Sequence, residues 1–453
     1  MAKIVFLGAG STVFAKNILG DSLRAPALRD ARIALYDIDA KRLRESKTLM
    51  DALNANINDS RAAITAHWGV SQRKEALRGA HYVVNAIQVG GYKPSTIIDF
   101  EIPKKYGLRQ TIADTLGIGG IFRALRTIPV MLDFARDMRE VCPDAWFLNY
   151  TNPMSMLSGA MIRGGGVKTV GLCHSVQGCA RGLCRQLGLD PDKMPGFRWE
   201  AAGVNHQAWL LSVRDGKKDL YPEIKKRAAV LVARERRRKA PRKGMGWDKH
   251  RDLVRLHLME QCGYYVTESS EHNAEYYPWY IKSRYPDLIE EFNIPLDEYP
   301  HRCEGQIQSW KEQAKAVVHD RKIDHRRGGE YGSYIMEAME TNVPAKIYGN
   351  VLNNGIIPNL PAKACVEVPC LVDRNGVQPL GVGDLPEPCA ALNRVSVNVQ
   401  LLAIEAALTL RKEHIYQAAM LDPHTAAELS IDDIRRMVDD LVKAHGKRLP
   451  KFR

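Results

Sequence analysis

The chain opens on an unbroken apolar run, Ile4-Val5-Phe6-Leu7, that is too short for a helix and stops at Gly8-Ala9-Gly10-Ser11. Such a run reads as a strand buried on both faces, here feeding a glycine turn and then a helix. The pattern recurs. Residues 33–36 form a second apolar strand ending in Asp37, residues 39–58 carry apolar positions at helical spacing, and residues 62–67 and 81–87 read as a third and fourth strand. A long loop over residues 88–115 gives way to Asp114-Thr115-Leu116-Gly117-Ile118-Gly119-Gly120, which starts a helix reaching about residue 141. Two more apolar strands follow at residues 145–150 and 167–172. Strands alternating with helices predict an α/β architecture with a Rossmann-type, doubly wound parallel sheet.

The second half is patterned differently. Residues 197–213 alternate as strands, while residues 251–261, 329–341 and 393–421 have helical spacing, and Asn353-Asn354-Gly355-Ile356-Ile357-Pro358-Asn359-Leu360-Pro361 is a turn-rich connection between short strands. This predicts a mixed α+β domain packed on the first. With no internal repeat or low-complexity linker to mark the join, the boundary falls near Pro195, dividing residues 1–195 from residues 196–453.

In doubly wound sheets, ligands bind beyond the carboxyl ends of the strands, and several chemically able residues fall there. Gly8, Gly10 and Ser11 lie in the first strand-to-helix turn, where a pyrophosphate can sit on a helix N-terminus. Asp37 ends the second strand, where an acid binds ribose hydroxyls and repels a 2′-phosphate, favouring NAD over NADP. Asn85, near the end of the fourth strand, is a further candidate for the cofactor. Val13 stands where a third glycine is usual, so the ordinary dehydrogenase fingerprint is incomplete. The sixth strand delivers Gly171-Leu172-Cys173-His174-Ser175-Val176-Gln177, and the next apolar-to-polar boundary is Gly203-Val204-Asn205-His206. A thiolate and an imidazole at strand ends suit a borderline-soft divalent metal. Each also suits a core, Cys173 as a small hydrophobe and His206 as a satisfied buried histidine. Asp114 either caps the helix that follows it or takes part in catalysis.

Composition narrows the class. A chain of 453 residues, 45% hydrophobic and 26% charged, can bury the cores of two packed domains. No apolar window is long enough for a membrane span, and the chain begins on its first strand without a basic-then-apolar leader, so a cytoplasmic protein without membrane contact is expected. Nine cysteines, odd in number and without CxxC pairs, fit reduced thiols. The net charge of +13 raises the question of nucleic acid, but the densest basic run, residues 225–243, has no interleaved aromatics. It reads as a solvated helix face and loop, with no specific nucleic-acid site.

Gly8-Ala9-Gly10-Ser11, Asn152-Pro153, Cys173-His174-Ser175, Asn205-His206 and Asn354-Gly355-x-Ile357-x-Asn359-Leu360-Pro361 together resemble the NAD- and manganese-dependent glycosidases of glycoside hydrolase family 4. The resemblance spans nearly the whole chain, residues 225–243 excepted, and the missing third glycine is shared. It is nearest to the bacterial α-galactosidases of the family, whose metal cysteine is followed by His-Ser-Val and which carry a segment similar to residues 263–272. The resemblance implies hydrolysis by an oxidative route: hydride leaves sugar C3 for NAD⁺, a base takes the C2 proton, the glycosidic oxygen is eliminated, water adds and the hydride returns. The family stands outside the two-carboxylate rule for glycosidases.

Roles follow by position. Cys173 and His206 match the family's metal ligands for Mn²⁺ or another divalent ion. His174 matches a residue that protonates the leaving oxygen, or else positions a sugar hydroxyl. Tyr264 is the candidate for the C2 base, with Glu268 its rival and Asp114 a further catalytic candidate. Asn152 and Arg284 are candidates for sugar contacts. Relatives acting on 6-phosphorylated sugars usually carry Asn or Asp after the metal cysteine; His174 therefore implies a small, unphosphorylated α-linked substrate, an α-galactoside first and an α-galacturonide second. A homo-oligomer, dimer or tetramer, is expected. A 2-hydroxyacid dehydrogenase would share the first domain, but its Gly-x-His-Gly segment is absent and it needs no Cys/His metal pair. A non-catalytic NAD-sensing or nucleic-acid-binding protein has no reason to combine Cys173, His206 and the polar loop at residues 88–115.

Overall fold

The computed structural model describes residues 1–237, 252–319 and 324–453. Six parallel strands form its first half: β1 (Lys3–Leu7), β2 (Arg32–Asp37), β3 (Ala63–Trp68), β4 (Tyr82–Asn85), β5 (Trp146–Asn149) and β6 (Thr169–Gly171). Their order in the sheet is β6-β5-β4-β1-β2-β3, which places β1 and β4 at the reversal where a Rossmann-type sheet opens a ligand crevice. Continuous apolar runs explain the agreement with sequence, since Ile4, Val5, Phe6 and Leu7 are all buried between helices. The helix Ala40–Asn58 starts where its sequence predicts, because the Asp39 side chain accepts from the Lys41 and Arg42 N–H groups.

The sheet does not end at β6. It continues through β11 (Ala345–Leu352), β12 (Cys365–Asp373), β7 (Phe197–Val204), β8 (Gln207–Asp215) and β10 (Tyr265–Val266), with β9 (Lys218–Asp219) and β13 (Gly376–Pro379) at its margins. These strands are antiparallel and join the first half by one register pair, Asn350 with Gly171. Residue 195 lies just before β7, and a single sheet runs through both halves of the chain. The hairpin β7-β8 and the short β10 bring residues 204–207 and 267–268 up beside the carboxyl end of β6.

Two expectations change. Residues 88–115 are more than a loop, because they include a helix, Ile97–Lys105, despite its internal Pro103. Its buried Asp99 meets Arg126 at 2.6 Å and His445 at 2.9 Å, ties that lie far away in sequence. The helical pattern at residues 393–421 is two helices, Glu387–Thr409 and Glu413–Leu421, broken where Leu410 turns left-handed at φ 59°. The basic run lies partly on the helix Tyr221–Arg236, whose Ile224, Ala228 and Val232 face inward while Lys225, Lys226 and Arg234 face solvent; its residues from 238 onward fall outside the described residues.

Candidate active site

The glycine turn is built for close approach. Gly8 has φ +83°, and a Cβ there would lie 2.7 Å from the Ala86 carbonyl oxygen of the neighbouring strand's exit. Gly10 N–H donates to Asp37 Oδ2 at 2.6 Å, and a Cβ on Gly10 would come within 2.8 Å of that oxygen. Asp37 Oδ1 accepts from the Asp39 N–H at 2.8 Å, so the acid is fixed beside the turn. Ser11 precedes the helix Thr12–Arg24 without a side-chain cap, and no acidic residue occupies the first turn. The first-turn N–H groups and their positive end therefore remain available to an anion. A cavity of about 1330 Å³ opens here, lined by Gly10, Ser11, Phe14, Asp39, Arg42 and Trp310 among others. It is large enough, and shaped by the right turn, for a dinucleotide. Asn85 stands apart from this set. It is fully buried, and its amide nitrogen is taken by Asn149 Oδ1 at 2.9 Å and Thr151 Oγ1 at 3.2 Å, so it braces the strand ends rather than lining the cavity.

Beyond β6 the chain brings three donors together. Ligand atoms of Cys173, His206 and Glu268 all lie within 4.8 Å of one another. His206 occupies the β7-β8 turn at φ 64° and is buried. Its Nε2 is 3.3 Å from Glu268 Oε2, and its Nδ1 is 2.9 Å from the Tyr276 hydroxyl. Burial alone would lower the imidazole pKa, but the Glu268 carboxylate and the Cys173 sulfur outweigh it and push the value up to about 10. A positive charge is thus wanted at this point. Sulfur, nitrogen and carboxylate oxygen form a donor set that fits a borderline divalent ion, with Tyr276 behind the imidazole fixing its orientation. A second triple, Asp114, His206 and His272, is equally close. There the Asp114 carboxylate is already engaged by Thr115 Oγ1 at 2.8 Å, Asn152 Nδ2 at 3.2 Å and His272 Nε2 at 3.5 Å, and it lacks the sulfur ligand.

Asp114 does not cap the long helix Gly117–Val141, whose N-cap position is Leu116 without a side-chain bond. It faces the site instead. Burial opposes its ionisation, yet the His272, Arg123 and His206 charges hold its carboxyl well below the usual range. Asn152 is placed beside it, with its Oδ1 buried and lacking a partner among the described residues. His174 directly follows the ligand cysteine, and its half-exposed ring donates from Nε2 to the Glu330 carboxylate Oε2 at 2.7 Å. That hydrogen bond is the largest influence raising its pKa, against the effect of burial.

Two candidates stand elsewhere. The Tyr264 ring packs on Tyr221 at 5.9 Å between centroids, under the Lys225 ammonium. Glu268 is the member of that pair which reaches the metal donors. Arg284 is exposed, with its guanidinium over the adjacent Tyr285 ring, 5.6 Å from its centroid. Pattern reading missed Glu330, His272 and Tyr276. The last two lie on the helix Ser270–Tyr276, all of whose residues are buried although most are polar. A polar segment with helix-forming spacing and no apolar face was the available signal.

Residues 3–189 match the family model described as Family 4 glycosyl hydrolase, and residues 201–425 match Family 4 glycosyl hydrolase C-terminal domain. An α-galactosidase of Bacillus subtilis strain 168 is 57% identical over 453 residues, 100% of both chains. An α-galactosidase of Rhizobium meliloti strain 1021 is 36% identical, covering 99% of this chain and 89% of its own. The structure of a 6-phospho-α-glucosidase from gut microorganisms, in complex with NAD and Mn²⁺, superposes with a TM-score of 0.78 over 100% of both chains at 20% identity, a likeness of fold.

Proposed function

The chain belongs to the family 4 glycosyl hydrolases, and from that membership we propose that it is an NAD- and divalent-metal-dependent α-galactosidase acting on a small, unphosphorylated substrate. The observation that carries the proposal is the meeting of Cys173, His206 and Glu268 within 4.8 Å at the sheet end beside the nucleotide turn. When bound, NAD⁺ supplies a hydride acceptor for sugar C3, and a divalent ion such as Mn²⁺ supplies positive charge beside the C2 and C3 oxygens.

Gly8, Gly10 and Ser11 would seat the pyrophosphate and Asp37 the adenosine ribose. Cys173 Sγ and a His206 nitrogen would hold the ion, leaving positions open to sugar oxygens. Glu268 carries the C2 base: although burial raises its pKa, the His206 and His272 charges lower it overall, so it is ionised at neutral pH beside the imidazole. A carbon acid flanked by a ketone and a cation can be deprotonated by so weak a base. His174, with its Nε2 hydrogen-bonded to Glu330, donates to the glycosidic oxygen as it leaves. Asn152, whose Oδ1 has no partner among the described residues and whose amide is tied to Asp114, binds a sugar hydroxyl, and Asp114 fixes that amide. A reducing cytoplasm suits a thiol ligand, and all nine cysteines are free.

The test is a panel of 4-nitrophenyl glycosides assayed with NAD⁺, Mn²⁺ and reductant. The α-galactoside should be cleaved fastest, and both chelation by EDTA and removal of NAD should abolish turnover. A preference for the α-galacturonide or a 6-phosphoglycoside would overturn the substrate; full activity without NAD or metal would overturn the mechanism.

A further inference from the structure

Residues 324–330 run along the helix Thr12–Arg24 and end on Glu330, the partner of His174, and they are held there by a dense set of polar contacts. Asp21, whose side chain is almost wholly buried, accepts from three groups of this segment: His325 Nε2 at 2.6 Å, the Gly328 N–H at 2.7 Å and the Glu330 N–H at 3.4 Å. Gly20 makes room for the clamp, since a Cβ there would lie 2.8 Å from the His325 ring. Arg24 fixes the near end, to Asp324 Oδ1 at 3.0 Å and the His325 carbonyl at 2.9 Å. At the far end Gln177 Nε2 donates to the Gly329 carbonyl at 2.7 Å, and the Gly332 N–H donates to the Tyr150 hydroxyl at 2.7 Å. The Tyr150 ring in turn stands 6.0 Å from that of His174.

We infer that Asp21 and His325 are positioning residues for leaving-group protonation, acting through the backbone of residues 328–330 to set Glu330 against His174; this rests on the role proposed above for His174. The helix that presents its N-terminus to the cofactor turn is the one that carries Asp21, nine residues further on, about 14 Å along a rigid rod. The seat of the nucleotide and the carboxylate behind the acid are thus fixed by one element. Losing a buried acceptor that serves two backbone N–H groups and an imidazole leaves those donors unpaired, so the segment must shift, and Glu330 with it. A carboxylate displaced by even an ångström no longer orients the imidazole.

Leaving groups separate positioning from mere stability. Methoxide needs a proton to depart, whereas 4-nitrophenolate does not. With NAD⁺ and Mn²⁺ present, kcat and KM are measured for methyl and 4-nitrophenyl α-galactosides in Asp21→Asn, His325→Gln, Glu330→Gln and the double variant Asp21→Asn/Glu330→Gln. Asp21→Asn and His325→Gln should lose roughly tenfold or more in kcat on the methyl glycoside and no more than about threefold on the nitrophenyl glycoside, with KM little changed. The double variant should be no worse than Glu330→Gln alone, because both act through one contact. Equal losses on the two substrates, or additive losses in the double variant, would overturn the inference. Should Asp21→Asn fail to fold, Gly20→Ala, which displaces the His325 ring, carries the same comparison alongside His325→Gln. A wild-type enzyme that works without NAD or metal would instead bring down the function proposed above.

Discussion

The imidazole Nε2 of His206 and the carboxylate Oε2 of Glu268 face each other across 3.3 Å. The contact is a product of strand register: Tyr265 pairs with Leu210 and Val266 with Trp209, and the Thr267 N–H donates to the Ala208 carbonyl at 2.9 Å, so one more residue carries Glu268 to the hairpin turn that holds His206. Two side chains 62 positions apart in the chain thereby share one small volume, and the first expectation follows from it. Glu268→Gln should lower kcat by about 10²–10⁴-fold, the usual worth of a positioned base. Metal content measured on the purified variant distinguishes base from ligand: retention of the ion with loss of turnover supports the base role, whereas loss of the ion would make Glu268 a ligand first.

Tyr264→Phe should behave differently. Its ring is packed on Tyr221 and beneath Lys225, so with Glu268 as the base kcat should stay within about twofold of wild type. A fall as large as that of Glu268→Gln, measured in the same assay, would return the base role to Tyr264.

Tyr276→Phe removes the hydroxyl 2.9 Å from His206 Nδ1 while keeping the ring. Outer partners of ligating histidines typically contribute 10–100-fold in affinity, so Mn²⁺ titration of the variant should show a weakening of about that size. Unchanged affinity would mean that packing alone orients the imidazole.

Gly10→Ala introduces a Cβ 2.8 Å from Asp37 Oδ2 and 3.0 Å from the Arg42 Cβ. Either the turn or the acid must move, and NAD⁺ affinity followed by calorimetry should fall by about tenfold or more while the fold persists. An unaltered affinity would place the dinucleotide elsewhere.

The parallel half of the fold was legible because its central strands are apolar runs buried on both faces, as in β1 and β4, and because strands and helices alternate. Ile97–Lys105 was not, since a helix containing Pro103 is held by Asp99 reaching Arg126 and His445, partners that no local pattern reveals. The site divided in the same way. Cys173 and His206 sit at strand ends, where sequence pattern points. His272 and Tyr276 lie on a short, wholly buried polar helix, and Glu330 on a segment whose position depends on Asp21, so only tertiary contacts bring them in. Asn85 and Tyr264 show what pattern leaves out, since the Asn85 amide nitrogen meets Asn149 and the Tyr264 ring packs on Tyr221, contacts that no local pattern reveals.

Glu367 gives a pH dependence of stability. It is buried in β12 between Asn350 Nδ2 at 3.2 Å and Asn205 Nδ2 at 3.5 Å, and burial pushes its pKa up from 4.5 to about 7 despite the opposing charge of His206 and the two amides. A raised carboxyl pKa in the folded state means that its contribution is complete below about pH 4.5 and is lost as pH climbs through about 7. Glu367→Gln, which cannot ionise, should therefore flatten the decline in melting temperature between about pH 5 and about pH 8. Identical slopes for variant and wild type would show that Glu367 does not titrate there.

The proton at sugar C2 tests the chemistry most directly. An α-galactoside is hydrolysed to completion in D₂O with NAD⁺ and Mn²⁺, and the released galactose is examined by NMR for deuterium at C2. Removal of that proton by a base such as Glu268, with return from solvent, leaves one deuteron at C2 in the product. Galactose carrying only hydrogen at C2, released at full rate, would contradict elimination and point to direct displacement at the anomeric carbon.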